Sequence, residues 1–245
     1  MFGENAETYA KVRPYYPREI YQYLHSICIN HDEAWDTACG NGQAAVGLSE
    51  FFKQVHASDI SEEQIVHARQ HPKVSYTVQA AETTNFEDNQ FDLTCAAQAL
   101  HWFDDDLFWD EVKRVLKPSG IFAAWGYSWF SIEKKIDACM QEKILGVIKP
   151  YWAEENKLLW DGYRDIAMPL MRIEAPTIEM EMKWDLRQVF DYLGSWSAIR
   201  RCLKDQGDNF LTQAYESIRT AWGDGGIKKK VSMDFTMVIG RNEKH

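Results

Sequence analysis

Residues 34–42, Ala-Trp-Asp-Thr-Ala-Cys-Gly-Asn-Gly, carry an acid, Asp36, out of a short apolar run into a small-residue loop around Gly40 and Gly42. Glycines in such a loop let a ligand come close to the main chain, because no side chain intervenes. Asp59 follows Val55-His56-Ala57-Ser58, 17 residues after Gly42. A carboxylate at the tip of a second strand can accept both hydroxyls of a ribose. The pair points to an adenosine-containing cofactor over the carboxyl edge of a parallel sheet. The plainer readings are a strand-end turn residue at Asp36 and a helix cap at Asp59, just ahead of Ser61.

Two cofactor chemistries compete for this pattern. Gly40-Asn41-Gly42-Gln43-Ala44-Ala45 satisfies G-x-G-x-x-A, the dinucleotide fingerprint, which alone is a weak signal and would imply a nicotinamide oxidoreductase. Against it, Asp36 stands where a dinucleotide protein has apolar strand, and a carboxylate there can hold an amino-acid ammonium group. Small or polar residues also close later strands, as Gln79-Ala80-Ala81-Glu82 and as Gln98-Ala99-Leu100-His101-Trp102. A ligand lying across the sheet edge needs such strand ends.

Other residues could serve an acceptor. Arg13 can hold a carboxylate in two-point fashion, whether the acceptor's or the cofactor's, with a surface salt bridge as the bland alternative. His101 is a candidate base, although its apolar aromatic setting fits a packed structural histidine at least as well. Tyr9, Trp102, Trp125, Tyr127 and Trp196 could wall a pocket, or could be core.

The elements that must position these residues alternate cleanly over the first half. Helices are predicted over about 17–29, 42–52, 61–70 and 104–116, from apolar residues at helical spacing such as Ile20, Tyr23, Leu24 and Ile27. Strands are predicted near 33–37, 54–58, 74–78, 91–97 and 121–125, the last after a turn at Lys117-Pro118-Ser119-Gly120. Five strands separated by helices imply a parallel, doubly wound α/β sheet. After Tyr127, helical aromatic-rich sequence at 131–170 and 186–222 flanks alternating stretches at 178–184 and 230–241. The expectation is one domain over 1–245, with residues 1–30 as an N-terminal lid segment and 128–175 as a helical cap.

Bulk properties narrow the class. The chain of 245 residues has a net charge of −10, which argues against a nucleic-acid substrate, and Lys228-Lys229-Lys230 is too short a basic run to change that. The five cysteines are scattered, without C-x-x-C spacing or a zinc-like His/Cys cluster, so no metal site is expected and a reduced, cytoplasmic setting is. No signal-peptide pattern or membrane-length apolar run is present.

Taken together, these motifs resemble the class I S-adenosylmethionine-dependent methyltransferases. Asp36-Thr37-Ala38-Cys39-Gly40-Asn41-Gly42 is similar to the first motif, D-x-G-C-G-x-G, with Ala38 in place of its first glycine. Asp59-Ile60-Ser61 resembles the second-strand motif and Ala81-Glu82 the adenine-side motif. Phe91-Asp92-Leu93, Gln98-x-x-His101-Trp102-Phe103 and Leu116-Lys117-Pro118-x-Gly120 match the fourth and fifth strands. Tyr9 with Arg13-Pro14-Tyr15-Tyr16-Pro17, and Trp196-Ser197-Ala198, resemble the trans-aconitate-methyltransferase-like subgroup.

The resemblance implies a seven-stranded, mostly parallel sheet, S-adenosylmethionine as donor, S-adenosylhomocysteine as product and a small-molecule acceptor. It implies Asp36, Ala38, Gly40 and Gly42 under the methionine part, Asp59 on the ribose and Ile60 on adenine. Ala81 and Glu82 fall at the adenine edge, Gln98 near the sulfonium, and Tyr9 and Arg13 over the cofactor. A solvated loop acid is the plain alternative for Glu82. A cofactor-binding partner protein without turnover shares every one of these motifs.

Overall fold

A computed structural model describes residues 13–103 and 106–243, and Tyr9 lies outside them. The chain divides into two compact units. The larger comprises Tyr15–Ser128, Lys157–Ile178 and residues from Phe235 onward; the smaller comprises Trp129–Asn156, Glu179–Asp234 and residues 13–14. The 128–175 stretch expected as a cap is therefore shared, since Lys157–Ile178 belongs with the larger unit.

The larger unit holds the sheet. In chain order its elements are α1 (Arg18–Ile27), β1 (Glu33–Thr37), α2 (Gln43–Leu48), β2 (Gln54–Asp59), α3 (Glu62–Val66), β3 (Val74–Val78) and β4 (Phe91–Ala97). A 3-10 turn (Leu100–Trp102), α4 (Asp106–Val115) and β5 (Leu116–Ser131) follow, and α6 (Asn156–Trp160) and β6 (Met171–Ile173) come after α5 (Lys134–Met140), which belongs to the smaller unit. The strand order is β3-β2-β1-β4-β5-β8-β6, where β8 is Lys229–Arg241. β1 pairs in parallel with β2 and β4, β2 with β3 and β4 with β5, while β6 runs antiparallel to β8. This is the expected doubly wound, mostly parallel arrangement.

Alternation along each strand fills two cores, one per sheet face. Ala34, Leu93, Cys95, Ile121 and Ala123 face α1 and α2, with Ile20, Tyr21, Leu24 and Leu48 opposite. Trp35, Ala96, Phe122 and Ala124 face α4, with Phe108, Trp109 and Val112 opposite. Full burial of each large apolar chain contributes roughly 1.5–3 kcal/mol. α1 is thus a core helix rather than part of a lid. At the opposite end of the sheet from the loop, buried Asp92 accepts from the backbone N–H groups of Asp32 and Glu33 (2.9 and 3.1 Å) and from Lys117 Nζ (2.8 Å), fixing the start of β1.

Two details depart from expectation. The Lys117–Gly120 turn is an irregularity inside β5: pairing jumps from Phe91↔Leu116 to Leu93↔Ile121, and Ser119 takes φ +61°. Asn242 holds it, its N–H donating to Gly120 O (2.9 Å) and its carbonyl accepting from Ser119 N (2.8 Å). β6 is an additional strand of three residues, making eight among the described residues.

The smaller unit contains α5 (Lys134–Met140), continued by a π-helical stretch (Gln141–Leu145) and an α turn (Gly146–Ile148). It also holds β7 (Met180–Trp184), α7 (Leu186–Gly194), α8 (Ser197–Gln206) and α9 (Asn209–Trp222). β7 pairs antiparallel with the first residues of β8. Asp185 and Gln188 form a reciprocal capping box that starts α7. Here Trp129, Phe130, Trp152, Trp184, Tyr192 and Trp196 form one ring cluster, with successive centroids 5.1–6.1 Å apart.

Candidate functional site

The loop between β1 and α2 has an unusual backbone: Ala38, Gly40 and Gly42 all lie at positive φ (+50°, +52° and +77°). Only glycine enters that region freely, and an L-residue held there costs about 1–2 kcal/mol. Ala38 carries that cost. Gly42 has a second constraint, because a Cβ there would fall 2.1 Å from Tyr76 Oη. The Tyr76 hydroxyl in turn donates to Arg69 O (2.6 Å), and Arg69 N donates to Asn41 O (3.0 Å), so β3 and the turn after α3 brace the loop.

Asp59 ties the end of β2 to the same loop. One carboxylate oxygen accepts from Gly40 N and the other from Ser61 N, each at 2.8 Å. A carboxylate offers about four acceptor sites, so two remain for ligand hydroxyls. Ile60, the next residue, is 79% exposed, a large apolar side chain presented to solvent at the tip of a buried strand. Ala81 is buried beside this edge and Glu82 is half-buried.

Asp36 has a different task from the ammonium contact expected of it. Its side chain is 0% exposed; Oδ2 accepts from Ala45 N (2.9 Å) and Oδ1 from Cys95 Sγ (3.5 Å). Gly42, the N-cap residue of α2, has no side chain to cap with, and Asp36 caps the helix from the neighbouring strand. Burial pushes its carboxyl up to about 7, against the opposing hydrogen bonds from Cys95 and Ala45.

Gln98 also stands at positive φ (+57°), and its amide is engaged at both ends with the Tyr127 backbone: Oε1 accepts from Tyr127 N (2.8 Å) and Nε2 donates to Tyr127 O (3.1 Å). It clamps the end of β4 to β5. His101 is buried, with Nδ1 3.2 Å from the Tyr163 hydroxyl and its ring facing Tyr163 and Trp102. That is the geometry of a packed histidine. Trp102 is half exposed, whereas Trp125 is fully enclosed between the edges of Tyr16 and Tyr21 and is core, not pocket wall. Tyr127 is buried beside Tyr16.

Trp196 and Arg13 belong to the smaller unit. Trp196 is buried in its ring cluster, and the Arg13 guanidinium lies 5.6 Å from the centroid of the Tyr192 ring. Among the described residues, no group of three or more His, Cys, Asp or Glu could hold a metal ion, and no helix is long and apolar enough to cross a membrane. Sequence reasoning missed Tyr76, Arg69 and Cys95. Each reaches the loop from a different strand or turn, and no fixed spacing to the glycines signals it.

Residues 35–124 match a methyltransferase-domain family. Over 249 aligned positions the chain is 30% identical to a methyltransferase-named protein of Dictyostelium discoideum, covering 99% of this chain and 95% of that one. An uncharacterized methyltransferase of Schizosaccharomyces pombe is 25% identical over 231 positions, covering 90% and 89%. A solved structure described as a type II methyltransferase from Anaeromyxobacter dehalogenans superposes with a TM-score of 0.89 at 36% identity, covering 95% of this chain and 99% of that one.

Proposed function

The chain belongs to the class I S-adenosylmethionine-dependent methyltransferases, and on that premise we propose that it binds S-adenosylmethionine at the β1–α2 loop and methylates a small anionic molecule, such as a carboxylate. The observation that carries the cofactor assignment is the loop itself: three left-handed positions tied through Gly40 N to a carboxylate with acceptor sites to spare, beside an exposed Ile60. A nucleoside fits those donors and acceptors. Asp59 would take the ribose hydroxyls, Ile60 and Ala81 would face adenine, and the main chain of residues 38–42 would lie under the amino-acid tail. Asp36 acts through the loop, as the cap that fixes where α2 begins.

When bound, the cofactor supplies a methyl group already activated by a sulfonium centre. The residues of the chain therefore have little bond-making to perform beyond alignment and exclusion of water, which are worth several kcal/mol by themselves. A carboxylate acceptor is ionised at neutral pH and needs no general base. His101, held against Tyr163, then serves as packing that supports the turn after β4. Gln98 keeps β4 and β5 in register at the same edge.

Three observations bear on the acceptor, the first arguing for a small molecule and the other two for an anionic one. The chain carries a net charge of −10, unfavourable for nucleic acid. It also places Arg13 on the Tyr192 face within an aromatic cluster, the chemistry that suits a small acid with an unsaturated or apolar body. The sequence likeness to the trans-aconitate-like subgroup, carried by Arg13-Pro14-Tyr15-Tyr16-Pro17 and Trp196-Ser197-Ala198, points the same way.

Two measurements test the reading. Incubating the protein with isotopically labelled methyl donor and metabolite extracts should label small acids; binding of donor with no labelled product across a broad panel would leave a cofactor-binding protein without turnover. Asp59→Ala should weaken S-adenosylhomocysteine binding by at least about tenfold, the size of a lost charge-assisted hydrogen bond. Unchanged affinity in calorimetry would remove the ribose from Asp59.

A further inference from the structure

Arg69 stands just beyond α3 and is wired to the glycine loop by its own main chain. Its N–H donates to Asn41 O (3.0 Å), and its carbonyl accepts from Tyr76 Oη (2.6 Å), the hydroxyl that abuts Gly42. Its side chain is partly buried, and the guanidinium lies 4.9 Å from the centroid of the Tyr15 ring. Among the described residues no carboxylate pairs with the guanidinium and no acceptor bonds its side-chain N–H groups. Neither nearby acid pairs with it: Asp36 accepts from Ala45 and Cys95, and Asp59 from Gly40 and Ser61. Burial raises the hydroxyls of Tyr21 and Tyr76, and the Arg69 charge opposes that rise at both. The guanidinium is therefore within Coulombic reach of both hydroxyls, one of which abuts Gly42.

A guanidinium stacked on an aromatic ring is held flat, with its edge N–H groups free to engage a planar anion at two points. Leaving such a group partly desolvated and unpaired is unfavourable unless a ligand completes it. In a chain of 37 acidic and 27 basic residues, an unpaired cation braced against the cofactor loop is not accounted for by general surface charge.

We propose that Arg69, held over Tyr15 and tied to Asn41, receives the carboxylate of the cofactor's amino-acid tail. This rests on the cofactor assignment above and adds the residue that fixes the tail. Because Arg69 is bonded to the loop through its backbone, it moves with the loop and is placed to read what lies on it. Its selectivity is for a nucleoside sulfonium bearing a carboxylate over one without.

Calorimetric titration of the full chain with S-adenosylmethionine and with decarboxylated S-adenosylmethionine, which differ only in that carboxylate, tests the assignment. The native protein should prefer the carboxylated ligand by about tenfold, the size of one bidentate charge-assisted contact. Arg69→Met should lose that preference by weakening the carboxylated ligand alone, leaving the decarboxylated one within about twofold. Arg69→Lys, which keeps the charge but not the fork, should fall between them. Loss of both ligands to the same degree in Arg69→Met would mark a structural role and overturn the proposal, as would no loss of either. Should the native protein bind neither ligand, the cofactor assignment itself falls, and that outcome is seen without any variant. Melting temperatures of the ligand-free variants within about 2 °C of native show that folding is preserved.

Discussion

Ala38 occupies the first of three left-handed positions in the loop, where the family motif has glycine, and its methyl group, partly buried against the core cluster that holds Trp35, imposes a conformational cost on the backbone. The cost lies in the backbone, so it bears on stability first and on ligand contact second. Ala38→Gly relieves about 1–2 kcal/mol of local strain and gives back part of it as unfolded-chain entropy. The expected net gain is about 1 kcal/mol, seen as a rise of about 2–4 °C in melting temperature. Affinity for S-adenosylhomocysteine should stay within about twofold, because the loop already holds the required shape. A lower melting temperature in Ala38→Gly would mean that the methyl contributes packing that outweighs the strain.

At the level of elements, the site depends on α2 starting in the right place, and a strand residue determines that start. Asp36 caps α2 from β1, and burial holds its carboxyl at about 7, against 3.8 for a free aspartate. Between those values the unfolded chain is ionised while the folded chain stays protonated, so stability falls as pH rises through the window and is level above it. Asp36→Asn keeps an acceptor for Ala45 N but cannot ionise. The stability of this variant relative to the native protein should therefore climb from pH 4 to pH 7, by at most about 1.4 kcal/mol per pH unit, and stop climbing beyond. Urea unfolding at a series of pH values measures this directly, and a difference that does not vary with pH would contradict it. The same element shows what a linear chain can and cannot disclose. The acid, the glycines and Asp59 are legible because they recur at spacings set by one strand-loop-helix unit. Cys95, Tyr76 and Arg69 come to the loop through lateral strand pairing and a side turn, which leave no periodic trace. β1 to β4 are legible from apolar alternation between turn residues. The start of β5 is not: Lys117-Pro118-Ser119-Gly120 has the composition of a turn, and Asn242 and Arg241, more than a hundred residues later, hold it as an irregularity within a strand. β6 is too short, at three residues, to show a pattern.

For the molecule as a whole, the deciding quantity is the acidic balance. A net charge of −10 disfavours any anionic acceptor at long range, so such an acceptor is bound only where a local cation overcomes the general field. Arg13, over the Tyr192 ring and in the unit that holds Trp129, Trp152 and Trp196, supplies that cation in the present reading. The resemblance alone would have assigned Arg13 to the cofactor instead, and the two roles separate cleanly in kinetics. With an acid acceptor from the labelling screen in hand, Arg13→Met should raise its KM by about tenfold, the worth of one charge-assisted contact. The dissociation constant of S-adenosylhomocysteine should stay within about twofold, and turnover of an uncharged ester analogue, where one is accepted, should be unaffected. A drop in S-adenosylhomocysteine affinity with unchanged acceptor KM would instead return Arg13 to the cofactor. An equal loss on charged and uncharged acceptors would show that it shapes the pocket and does not recognise charge.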